Sequence, residues 1–171
     1  MATPPTTILP PPTPGGGPNG DQQTLVWMLK TIQEVLRLTV YSATPPFPQE
    51  LRQSFLDAWP TAEESINNTI ATVNTQFAML YPRLQEVGLT GQSLDMKAAS
   101  LYYHSAPYVG DILTYPAKVP LRERITRFFR PAYKVMNSIM SSLKGIVPGI
   151  EIAKEYKELV EAAAEAVAAR E

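Results

Sequence analysis

The chain has 171 residues, a formal net charge of −1 and 18% charged residues. That length suits one domain, and a folded part of about 150 residues buries roughly 70% of the surface its unfolded chain exposes, so no staple is needed. Cysteine is absent, which excludes disulfides and thiolate metal sites, and the single histidine, His104, cannot build a histidine metal centre within one chain.

Several classes of function lose ground at once. Near-neutral charge gives no bulk pull toward nucleic acid or anionic membranes. No apolar run is long enough to span a bilayer. The first residues carry neither a basic n-region nor an apolar h-region, so the expected location is cytoplasmic. Asn67-Asn68-Thr69 matches a glycosylation sequon, which a cytoplasmic chain never exposes to that machinery.

Residues 1–20 are rich in proline and glycine, and their composition predicts a disordered tail ahead of a single helical domain at 21–171. Pro11 to Pro14 fits a P-x-x-P core, but no basic residue flanks it. The first helix is expected to start with Asp21 as N-cap and run to about Ser42. Leu25, Leu29, Ile32, Leu36 and Val40 form its stripe, widened by Val26, Val35 and Leu38, with Trp27 and Met28 at the edges. Thr44-Pro45-Pro46-Phe47-Pro48 ends it.

A short helix at Gln49 to Ala58 is expected next, closed by Pro60. Thr61-Ala62-Glu63-Glu64 then reads as a capping box that opens a long helix. Ile66, Ile70, Val73, Phe77, Leu80, Leu84 and Val87 alternate steps of four and three, the spacing of a bundle seam. Pro82 falls inside this stripe without disturbing its phase, which predicts a kinked, continuous helix stopped by Gly88.

Ser93 can cap a helix from Leu94 to about Ser105, with Leu94, Ala98, Leu101 and Tyr102 inward. Pro107, Gly110 and Pro116 predict a tyrosine-rich connector after it, with a short helix near Val109 to Leu113. Two amphipathic helices of opposite charge follow. The basic one opens at Pro120 and buries Leu121, Ile125, Phe128, Phe129, Ala132, Val135, Met136, Ile139, Met140 and Leu143. Pro131 sits inside that stripe in phase, so it too predicts a kink. Gly145 and Pro148-Gly149 mark the turn into the acidic helix. That helix is read as burying Ile152, Tyr156, Leu159, Val160, Ala163 and Val167, with Glu151, Lys154, Glu155, Lys157, Glu158, Glu161 and Glu165 outward. The fold class is therefore all-α: a bundle of about four main helices with short accessory ones.

Little in the chain points to catalysis. Ser100 and His104 are helical neighbours, but nothing marks an orienting acid or an oxyanion hole beside them. The acids of the last helix lie outside its apolar stripe, and no Glu-x-x-His occurs, so neither a metal nor another cofactor is expected. The remaining feature is the basic face of 118–144, with Arg122, Arg124, Arg127, Arg130 and Lys134 as candidate binding residues. The expected function is a non-enzymatic module for protein partners, a second copy included, acting through helix surfaces. The alternative is a peripheral protein that lays helix 120–145 on an anionic membrane. Nucleic acid is the weakest partner, since the polar side of that helix lacks interleaved aromatics. A hydrolase built on Ser100 and His104 stands third.

Overall fold

A computed structural model describes residues 8–14, 17–41, 49–114 and 121–169; within its helices the side chains of 38–41, 108–114, 121, 124, 125 and 128 lie outside the description. The described residues form an all-α bundle: α1 (Gly17–Tyr41), α2 (Gln49–Glu86), α3 (Gly91–Thr114), α4 (Leu121–Arg124), a π-helical turn (Ile125–Phe129), α5 (Arg130–Lys144) and α6 (Ile150–Ala168). No strand occurs among them.

The helices close a ring. α1 packs against α2, α2 against α6, α6 against α5, α5 against α3, and α3 back against α1. Leu25, Met28, Leu29, Ile32, Val35 and Leu36 of α1 are fully buried, which confirms its stripe and moves Met28 from its edge to its centre. Val40 and Leu38, also assigned to that stripe, fall outside the described side chains. From α2 come Phe55, Trp59, Ile66, Val73 and Leu84; from α3, Leu94, Ala98 and Leu101. Trp59 and Phe55 meet Tyr156 of α6 with ring centroids 5.4 and 6.4 Å apart, joining α2 to α6.

Proline was the main source of misread boundaries. Pro60 does not close a helix: α2 runs through it, so the segment at 49–58 and the seam at 61–87 are one element. The Thr61–Glu64 box consequently starts nothing. Pro60 is exposed while Trp59 and Ala62 on either side are buried, so packing holds the helix across the missing N–H. α2 also runs through Pro82 as expected, but its departure from helical geometry falls at Gln76 (φ −124°, ψ 20°), upstream of the carbonyl that Pro82 leaves unbonded, so the kink is not the proline's. Thr72 and Thr75 bond back to Asn68 and Ala71 just before it, a habit that bends helices. Val87, placed in the seam, is exposed. α3 likewise passes through Pro107 instead of giving way to a connector. Pro131 leaves the helical path intact, because the wide π turn before it carries the chain past the lost bond.

α1 begins at Gly17, so Asp21 is not its N-cap. Asp21 is buried and serves two other elements. Its Oδ1 accepts the Gly91 N–H at 3.0 Å, an orphan donor at the start of α3, and its Oδ2 accepts the Tyr81 hydroxyl at 3.0 Å. Gly88 (φ +75°) makes the left-handed stop between α2 and α3, as its sequence position predicted. The tail at 1–20 also needs correction: Ile8 is 6% exposed and belongs to the core. Residues 1–7 lie outside the described ones.

The hydrogen bond to Asp21, then burial, then the charge of Asp21 raise the Tyr81 phenol above its ordinary pKa. A phenol raised on folding contributes stability below its unfolded pKa, and that contribution fades as pH rises through the folded value. Tyr81→Phe should therefore be less stable than wild type by a constant amount near neutral pH, with the gap closing above about pH 10 in denaturant titrations. A gap that does not change with pH would contradict the assignment.

Candidate interaction surface between α3 and α5

α5 buries Phe129 at its entry and Ala132, Tyr133, Met136, Ile139, Met140 and Leu143 along its length. Ile139 is thus in the core as expected; Phe128, expected beside it, is outside the described side chains. With that face inward, the cations of 122–134 can emerge only along the helix's outer edges.

They do not form one patch. Arg122 donates Nε–H and Nη2–H to the Ala168 carbonyl at 3.2 and 3.0 Å, placing a cation on an orphan acceptor at the α6 C-terminus. Arg130 donates Nε–H and Nη2–H to Glu165 Oε1 at 3.1 and 3.0 Å. Arg127 pairs with Glu123 at 3.5 Å with both side chains at least half exposed, so that pair adds only about 0–1 kcal/mol. Arg124 falls outside the described side chains. Lys134 is exposed on the edge facing α3.

That edge borders a groove of about 760 Å³ between α3 and α5. Lys97, Ser100 and His104 line it from α3, and Arg130, Lys134 and Ser138 from α5. Met96, Pro131 and Val135 add apolar surface. Among the described lining residues there is no carboxylate. Lys97 also reaches the Gly88 carbonyl at 3.4 Å. The α3 half of this site was missed as a binding surface. Nothing in a linear sequence pairs Lys97 with Lys134, and only the ring order of helices does so.

Ser100 and His104 do share this groove, and His104 also lines a second cleft beside Tyr102 and Tyr103. With no acid among the described lining residues, the third partner of a triad is not supplied there. No group of three metal-binding side chains occurs among the described residues, and no described helix is long and apolar enough to cross a membrane.

The acidic helix needs the largest correction. Ile152 and Leu159, read as core, are 44% and 52% exposed; Tyr156, Val160 and Val167 are buried as expected, and Ile150, Ala153, Ala164 and Ala168 are buried with them. The face is rotated, and Lys157, read as polar surface, is only 3% exposed. Its ammonium meets Glu161 Oε2 at 3.1 Å and Asn137 Oδ1 at 3.4 Å, and lies 5.9 Å from the Tyr133 ring centroid. Its stem fills space between α5 and α6 while the head stays paired. Alanines on both sides of this helix blur the periodicity that would have revealed the turn.

The chain matches no family model, no curated protein and no solved structure.

Because the stem of Lys157 does the packing, Lys157→Met should hold the unfolding free energy within about 1 kcal/mol of wild type. Lys157→Ala should lower it by about 2 kcal/mol. Equal losses in both, measured by urea denaturation, would show that the charge and not the stem is what matters.

Proposed function

We propose that this chain is a helical interaction module that docks an acidic protein segment in the groove between α3 and α5. The carrying observation is the groove's lining: Lys97 and Lys134 face each other across apolar surface with no described carboxylate, while Arg130 at its margin is held by Glu165. Such a surface suits an amphipathic helix with acids beside its apolar face. Complementary charge of this kind raises association rate and selectivity more than raw affinity. Met96 in the groove wall is 66% exposed, and Tyr103, 73% exposed, extends apolar contact along α3 beyond the groove.

The membrane alternative weakens on the same structure. It required the apolar face of the basic helix to insert, and the described members of that face are in the core except Val135, which is partly buried against it. Inserting them would mean dismantling the ring on two sides. A second copy could act as the partner, since α6 presents exposed Ile152 and Leu159 beside exposed Glu155 and Glu158.

The test is a photo-crosslinking side chain at Met96 or Ser138 in the native cell, with and without Lys97→Gln and Lys134→Gln together. The double variant should stay folded, because Lys134 is exposed and glutamine at 97 keeps most of the stem and a donor for the Gly88 carbonyl. A discrete, salt-sensitive adduct lost in the double variant supports the reading. A second copy as partner would appear as an adduct of twice the chain mass. Absence of any adduct, or salt-sensitive sedimentation of the wild type with anionic vesicles, overturns it.

A further inference from the structure

Residues 8–14, Ile-Leu-Pro-Pro-Pro-Thr-Pro, do not trail away from the bundle. Ile8 is in the core, while the Leu9 side chain next to it points to solvent. The Leu9 carbonyl accepts the Trp27 indole N–H at 2.9 Å. Trp27 faces Tyr102 across α1 and α3, ring centroids 6.5 Å apart and tilted by 55°. Pro11 lines a cleft of about 740 Å³ with Tyr102, Tyr103, Ala106 and Pro107.

Those contacts have a shared chemistry. A proline run offers carbonyls and flat apolar rings but no N–H, and it has little chain entropy left to lose on docking. Its complement is a row of aromatic faces with an indole or phenol donor aimed at a carbonyl. Trp27, Tyr102 and Tyr103 supply the faces, and Trp27 supplies the donor. Pro11 forms part of the wall of this cleft, and the space beside it has room for further proline residues.

We infer that the Tyr102–Tyr103 cleft, together with the Trp27 indole that adjoins Tyr102 and holds the Leu9 carbonyl, is a recognition site for a proline-rich peptide led by an apolar anchor, with residues 8–14 of this chain as its resident ligand. The inference is independent of the α3/α5 groove, although His104 lines both. An incoming peptide of the same pattern competes with the resident one for the same indole and the same rings.

The experiment follows the Trp27 indole N–H resonance in the full-length, isotope-labelled protein, assigned by its loss in Trp27→Phe. The probe is a synthetic peptide with the sequence of residues 6–16. In Ile8→Asp the resident segment should be released and the resonance should move; the added peptide should return it toward its wild-type position. Wild type should bind the same peptide about tenfold more weakly than the variant, because its cleft is occupied. A peptide with Asp in place of the isoleucine should fail to bind. If Ile8→Asp does not fold, a variant with Pro10, Pro11 and Pro12 all changed to Gly, which leaves the core untouched, should bind the probe more tightly than wild type. The inference is overturned if Ile8→Asp leaves the resonance in place, if the probe does not restore it, or if wild type and the released variants bind the probe equally.

Discussion

Burial of α5 on two flanks is the constraint from which the rest of the surface follows. Its inward face packs between α3 and α6, and each neighbour takes one of its edges. On the α6 edge, Arg130 is engaged by Glu165, while Arg122 just upstream closes on the Ala168 carbonyl. On the α3 edge, Lys134 joins Lys97 and His104 across a groove. One run of basic residues is thereby divided into a structural half and an available half. The division comes from where the apolar face points, since exposed ion pairs are too weak to impose it.

Polar ties at the helix ends set the order of the ring. The Asp21 carboxylate joins α1 to the last turns of α2 and to the start of α3. Ser65 of α2 donates to the Gly149 carbonyl at 2.6 Å, and Arg83 to that of Gly145, which holds the α5–α6 turn against α2. Gly149 adopts φ +97°, a conformation few side chains tolerate, and its N–H is taken by Glu151. These contacts cross between elements far apart in the chain. They convert a set of amphipathic helices into one arrangement and so put α3 beside α5.

Much of the architecture was legible in the sequence because it rests on periodicity. The stripes of α1, of the seam in α2 and of α5 keep phase over many turns, and a stripe that keeps phase across Pro82 or Pro131 has one economical explanation. What failed has equally definite causes. Pro60 followed by Thr-Ala-Glu-Glu imitates a helix junction, and only the packing of Trp59 on Tyr156 shows that the helix goes on. α6 has alanine on both faces, so Ile152 and Leu159 drew the stripe toward themselves. Ile8 is one apolar residue within a proline-rich stretch, too little signal to predict docking. The candidate groove was half visible: its α5 cations stand out in sequence, whereas its α3 wall exists only through tertiary packing.

The central claim is that α5 stays enclosed while the surface beside it does the binding. Native-state hydrogen exchange on the full-length protein, with and without anionic vesicles, tests this directly. Amides of α5 between Met136 and Leu143 should exchange only through global unfolding, among the slowest in the chain, and vesicles should leave them unchanged. Fast exchange there through a local opening, or loss of protection on adding vesicles, would show that α5 leaves the ring, and would return its apolar face to the membrane reading.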